Sequence, residues 1–301
     1  MILGTNRVAK NKLQLLRSEK LSKLAWLVHA FSTRHGGVSC VYGENALNLG
    51  FTKHDSRAVV ERNRELFLRE LGVANGRRSW PLVSLRQIHS DLIHRIDRHP
   101  EKLLTGDGMV TDTPGLILAV QAADCLPIIL ADRKRRAVGV FHAGWRGTVK
   151  RIVEKGVGEM RKHFASDPSN LVAAIGPGVQ GCCYEVGEEV RTRFEAQFAY
   201  ASTLFREVKE SDPVREKYPL LFLTARASGH SELPVKLFLD LVEANRRQLL
   251  DAGVMAKNIE TAGPCTACHT ELLFSFRAEK GVTGRLMGAA GIRRNKLELG
   301  S

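Results

Sequence analysis

The chain has 301 residues, 44% of them hydrophobic, which is enough to bury a sizeable soluble core. Its 45 basic and 32 acidic residues give a formal charge of +13 and raise nucleic acid as a partner. The basic residues, however, are scattered in small groups (Arg77-Arg78, Arg133 to Arg136, Arg293-Arg294) with no interleaved aromatics to stack on bases, so no nucleic-acid partner is expected.

From the N-terminus, Lys10, Lys12, Arg17 and Lys20 interrupt any apolar leader, and the longest apolar run, Leu116 to Ala131, contains Asp124 and Pro127. Neither a signal peptide nor a membrane span is expected, and the reading is cytoplasmic. In that compartment six cysteines are free thiols or metal ligands, not a disulfide framework. Trp26 to Phe31 reads as a strand leading into a loop, Ser32 to Ser39, whose paired glycines could carry Arg34 and His35 over a pocket. Asp55-Ser56 opens a helix with apolar Val59, Val60, Phe67 and Leu71 and a stop at Gly72.

Leu82 to His89 is expected as a strand ending in an imidazole, followed by strands at Asp107 to Thr111 and Leu116 to Gln121. Two further apolar runs break at reactive side chains: Ala119 to Ala131 at Cys125, and Val138 onward at His142. The charged segment Asp132 to Arg136 reads as a turn between returning strands, which would let Cys125 and His142 meet. Thr148 to Phe164 has the strongest helical periodicity in the chain, and its start beside Arg146 is a candidate anion site. Beyond it come a strand at Leu171 to Ile175, a helix from Cys182 to about Phe198, a polar stretch at 205–235, a helix from Asp240 to Ala252, and strands near Leu272 to Arg277 and Arg285 to Ala289. Strands in hairpin succession favour an α+β sandwich over a doubly wound parallel sheet.

His89, Cys125 and His142 together offer two imidazoles and a thiolate. That donor set suits Zn²⁺ with its fourth position open, as in catalytic sites. The same residues also fit a Cys nucleophile with a His base, or simple core packing. Cys265-Thr-Ala-Cys268 is half of a zinc signature without a second half in reach, and the adjacent Cys182 and Cys183 read as packed small hydrophobes.

Eight segments in order (Ser32 to Ser39, Gln87 to Ser90, Ala123 to Pro127, His142 to Gly147, Ala174 to Pro177, Cys183 to Gly187, Cys265-Thr266 and Thr283 to Arg285) resemble the YfiH/laccase-domain family, also called the multicopper polyphenol oxidase laccase family. The resemblance spans residues 26–292, leaving 1–25 as an N-terminal extension and 293–301 as a tail. It implies an α/β/β/α sandwich of mixed sheets flanked by helices. It also implies one zinc on His89, Cys125 and His142, with these residues catalytic, and phosphorolysis of purine nucleosides with adenosine deamination as a side activity. Purine nucleosides and phosphate are the expected partners, with Arg34 and Arg146 as candidate contacts for phosphate or ribose. The alternatives are a copper-dependent (Cu²⁺) phenol oxidase, a cysteine hydrolase using Cys125 and His142, and a non-enzymatic nucleoside-binding regulator. Laccase chemistry needs several coppers and many His ligands, which disfavours the oxidase reading.

Overall fold

A computed structural model describes residues 13–75, 78–209 and 235–294. Contacts divide the chain into two compact units, residues 180–240 forming the smaller one. The larger unit contains, in chain order, β1 (Leu27–Ser32), α1 (Arg57–Glu70), β2 (Leu82–Ser84), β3 (Ile93–Arg95), β4 (Gly108–Thr111), β5 (Ile117–Ala122), β6 (Leu126–Asp132) and β7 (Ala137–Ala143). It continues with α2 (Trp145–Val149), α3 (Ile152–Phe164), β8 (Leu171–Ile175), α4 (Leu241–Asp251), β9 (Ile259–Thr261) and β10 (Leu286–Ile292).

These strands make two mixed sheets. One has the order Leu15–Leu16, β1, β10, β5, β2; the other runs β9, β8, β6, β7, β4, β3. Alternate residues of each strand serve the two faces. Phe31, Leu118, Val120 and Ala290 of the first sheet meet Ile129, Val138, Val140 and Val172 of the second in one buried cluster. The opposite parity, Val28, Ala30, Ile117, Ala119, Met287 and Ala289, packs under Phe67, Leu68 and Leu71 of α1 and its end. With α3 against β7 on the far face, the result is an α/β/β/α sandwich, as the family resemblance implies. Both faces of the strands are covered, which is why they read as unbroken apolar runs. The smaller unit holds the helix Glu188–Glu195 and a three-stranded sheet of Glu185–Val186, Val235–Leu239 and Phe205–Lys209.

Local chemistry explains where the elements end. The Ser56 Oγ caps α1 by accepting from Val59 N, and Gly72 after it takes φ +73°. The expected helix from Thr148 is broken in two: Arg151 has φ +63°, and the Thr148 carbonyl accepts from Arg151 N and from Gln248 Nε2 on α4. The expected strand from Leu82 stops at Ser84, and residues 272–277 form turns instead of a strand. His35–Ser39, expected as loop, forms a short strand, with Gly36 at φ +85°. The helix expected from Cys182 to about Phe198 spans only Glu188–Glu195, and Glu185–Val186 ahead of it is a strand. Residues 210–234 of the polar stretch at 205–235 lie outside the described residues.

Candidate active site

The β6–β7 hairpin builds the centre. Its antiparallel register pairs Pro127 with His142 and Leu126 with Ala143. Cys125, one residue before β6, therefore lies beside Gly144, one residue after β7. A Cβ at Gly144 would stand 2.8 Å from the Cys125 Sγ and 3.0 Å from His89 Cδ2, so a side chain there would collide with both groups. His89 arrives on the loop after β2 with φ +57°, a left-handed conformation that turns its ring towards the hairpin. The two imidazoles meet edge to face, with centroids 4.9 Å apart. Ligand atoms of His89, Cys125 and His142 all lie within 4.8 Å of one another, which brings together the three side chains singled out from the sequence.

A fourth residue, Asp107, organises them. It is fully buried just before β4. Its Oδ1 lies 2.8 Å from His142 Nδ1, and its carbonyl accepts from His142 N at 2.7 Å. The same carboxylate accepts from three consecutive backbone N–H groups, Ile88 (3.2 Å), His89 (3.0 Å) and Ser90 (2.6 Å), and from Ser90 Oγ (2.7 Å). Asp107 thus fixes the turn that carries His89 and the ring of His142 at once. A carboxylate at Nδ1 makes that nitrogen the donor and leaves Nε2 to present its lone pair.

The charges follow. Burial works against ionisation of Asp107, but the hydrogen bonds from His142 and Ser90 bring its carboxyl down to about 2. Burial likewise opposes the Cys125 thiolate, yet the charge and hydrogen bond of His142, joined by His89, lower it to about 6. His142, against its burial, is raised to about 9 by the Cys125 charge and by Asp107. Both shifts run towards a thiolate paired with an imidazolium, which favours both a soft ligand and a reactive nucleophile.

Asp124, immediately before Cys125, has φ +101°, rare for a residue with a side chain. Its Oδ1 accepts from Thr266 Oγ1 and Ser275 Oγ, both at 2.7 Å, and its Oδ2 from Arg277 N at 2.8 Å. The carboxylate therefore ties residues 266–277 to the peptide that carries Cys125.

The two arginines expected at the substrate lie differently. Arg34 Nη1 donates to the carbonyls of Thr270 and Leu273, and Nη2 donates to the Tyr42 carbonyl (2.7 Å) and pairs with Glu279 (3.1 Å). Its guanidinium lies over Phe274, 4.7 Å from the ring centroid, so it holds residues 270–279 together. Arg146 is exposed on α2 and stacks on Trp145 at 4.3 Å. Because α2 has only five residues, the helix after Gly147 is not the long anion-binding helix read from the sequence. Cys182, read as a packed hydrophobe, is exposed, and of the Cys-x-x-Cys pair Cys265 is buried and Cys268 exposed.

Sequence reasoning missed Asp107. The one local signal was an acid at the start of an otherwise apolar strand, and its partner is 35 residues away. No helix among the described residues is long and apolar enough to cross a membrane.

The family described as multi-copper polyphenol oxidoreductase laccase matches residues 28–293. A protein of Deinococcus radiodurans named purine nucleoside phosphorylase is 35% identical over 290 residues, covering 96% of each chain. Purine nucleoside phosphorylase YlmD of Bacillus subtilis is 31% identical over 280 residues, covering 89% of each. Among solved structures, the hypothetical protein YfiH of Bacillus licheniformis superposes with a TM-score of 0.76 at 28% identity, over 94% of this chain and all of that one.

Proposed function

Because the chain belongs to the multi-copper polyphenol oxidoreductase laccase family, within which similar proteins are named purine nucleoside phosphorylase, we propose that it is a zinc-dependent purine nucleoside phosphorylase with an adenosine deaminase side activity. The observation that carries this reading is the His89, Cys125 and His142 set, three ligands gathered around one point with His142 oriented by Asp107. Two nitrogens and a thiolate match zinc with an open fourth position. Zinc held by His89, Cys125 and His142 would polarise a substrate oxygen or lower the pKa of a bound water to about 7.

In phosphorolysis a phosphate oxygen bonds to the ribose C1′ as the bond from C1′ to the purine nitrogen breaks, and the phosphate hydroxyl proton ends on the base. The chain's residues position these partners. Asp107 keeps the His142 ring from rotating, and Cys125 contributes its charge. Arg146 contacts the substrate, a role its exposure four residues beyond His142 supports. Adenosine, inosine, guanosine and methylthioadenosine are the proposed substrates. A copper phenol oxidase fits less well, because among the described residues only one cluster of potential ligands contains histidine.

The test is incubation of purified protein with each nucleoside, with and without phosphate, followed by chromatography and metal analysis. Release of free base and ribose 1-phosphate that needs phosphate and is lost in Cys125→Ala is expected. Turnover that survives this substitution, or phenol oxidation that appears only on copper supplementation, would overturn the reading. Cleavage sensitive to thiol alkylation but not to chelation would instead point to a cysteine hydrolase.

A further inference from the structure

We infer that Arg285 is the residue that grips the phosphate oxyanion at this centre; the inference rests on the phosphorolysis reading above. Arg285 immediately precedes β10, whose first residue, Leu286, pairs with Ala122 at the end of β5. The chain leaving β5 there runs straight to Asp124 and Cys125. Arg285 is also held rigidly. Its N donates to Asn48 Oδ1 (2.9 Å), and its carbonyl accepts from Leu49 N (3.0 Å).

The side chain occupies a slot made for it. A Cβ on Gly50 would come within 2.5 Å of Arg285 Cγ and 2.7 Å of Gln121 Oε1, so only glycine lets the arginine stem lie there. At the other end the guanidinium faces the Phe276 ring, 5.6 Å from its centroid, and Phe276 is itself half exposed between the two residues tied to Asp124.

What distinguishes this arginine is how little of its donor capacity is spent. Nη1 donates to the carbonyls of Thr283 and Gly284, each at 3.0 Å. Nε and Nη2, the adjacent edge that matches an oxyanion in two-pronged fashion, have no hydrogen-bond partner among the described residues, and Arg285 makes no ion pair there. Asp124, the carboxylate in the segment leading to Cys125, already serves Thr266, Ser275 and Arg277 with its two oxygens. Leu286 lies opposite Ala122, three residues before Cys125, so Arg285 sits at the end of the sheet from which the chain runs on to Cys125 of the His89, Cys125 and His142 cluster. A half-buried cation with an unused fork beside a reactive centre calls for an anion. Arg34, with its Glu279 partner and three carbonyls, does not present such a fork. The chemistry recognised is a tetrahedral phosphate, whether inorganic or carried by a nucleoside monophosphate.

The experiment compares wild type with Arg285→Ala, Arg285→Lys and Gly50→Ala, the last pushing the stem out of its slot. Metal content and circular dichroism verify that each is folded. Calorimetric titration with inorganic phosphate, and separately with inosine monophosphate, reads binding without turnover. Michaelis constants for phosphate and inosine read the reaction. Arg285→Ala should weaken phosphate about 10- to 100-fold, in line with the loss of charge-assisted hydrogen bonds, with the inosine constant changed less than about threefold. Gly50→Ala should move the same way, and Arg285→Lys should fall between. An unchanged phosphate affinity in folded Arg285→Ala, or in Arg285→Lys and Gly50→Ala if that variant does not fold, overturns the inference. Wild type that binds phosphate through Arg285 but shows no phosphate-dependent cleavage upholds it and sinks the phosphorylase reading. Binding of the monophosphate alone, without inorganic phosphate, assigns Arg285 to a nucleotide and overturns its role in phosphorolysis.

Discussion

Asp107→Asn separates the arrangement of the centre from its mere presence. Asparagine keeps the shape of the side chain but removes the charge and turns one oxygen into an amide donor. If that donor faces His142, Nδ1 must accept instead of donate, the proton moves to Nε2, and the nitrogen meant for the metal loses its lone pair. Loss of such an outer partner weakens metal binding about 10- to 100-fold, or about 1.4 to 2.7 kcal/mol. The fold should suffer too. The carboxylate accepts from three backbone N–H groups and the Ser90 hydroxyl as well as facing His142. Downgrading several charge-assisted bonds to neutral ones costs about 2 to 4 kcal/mol in all. Zinc affinity is measured by competition with a chromogenic chelator, and stability by denaturant unfolding of the metal-free protein. Ser90→Ala is the control, because it removes one bond to Asp107 without touching the His142 tautomer, and it should change zinc affinity less than about threefold. A folded Asp107→Asn protein that binds zinc like wild type would refute the argument.

Two further outcomes are expected. Gly144→Ala places a methyl against the Cys125 sulfur and the His89 ring; zinc affinity should fall at least about tenfold and stability by about 1 to 3 kcal/mol, checked by the same competition and unfolding measurements. His29, buried in β1 and accepting from Ser18 N, has its pKa lowered from 6.5 to about 4, chiefly by burial and then by Arg17. Between those values the unfolded chain binds the extra proton and the folded one does not. Stability is therefore full above pH 6.5 and falls by about 3 kcal/mol as pH drops to 4, with no further loss from this group below that. Unfolding curves across that window should show the loss in wild type and a flatter profile in His29→Gln; identical slopes would remove His29 from the account.

The sandwich was legible because each central strand is buried on both faces and announces itself as an apolar run. The meeting of Cys125 and His142 was legible because both interrupt such runs at their ends. What stayed hidden lies in partners far along the chain. Leu272 to Arg277 alternates like a strand, but Ser275 and the Arg277 N–H are claimed by Asp124, so no neighbouring strand receives them. Ile88 and His89 follow the strand at Leu82–Ser84, but their N–H groups go to Asp107. The break at Arg151 falls among residues of ordinary helix propensity, beside a Thr148 carbonyl that accepts from Gln248, a hundred residues beyond Thr148. Arg34 attracted attention through its glycine-rich loop, whereas Arg285, in the last motif read, was given no role.

The position of β10 has a consequence for how the molecule is made. β10, which follows the other strands of both sheets in sequence, is a central strand inserted between β1 and β5. During synthesis β1 emerges early, but its neighbour β10 is translated only after the other strands of both sheets, a wait of tens of seconds at about 5–20 residues per second. Until then β1 and β5 expose unpaired edges of the kind that recruit other chains. The β6–β7 hairpin, by contrast, needs only a short turn to close. The segment that carries Cys125 and His142 can thus take shape on the ribosome, whereas Arg285 arrives with β10, so the candidate ion site precedes the proposed anion grip in the life of each molecule.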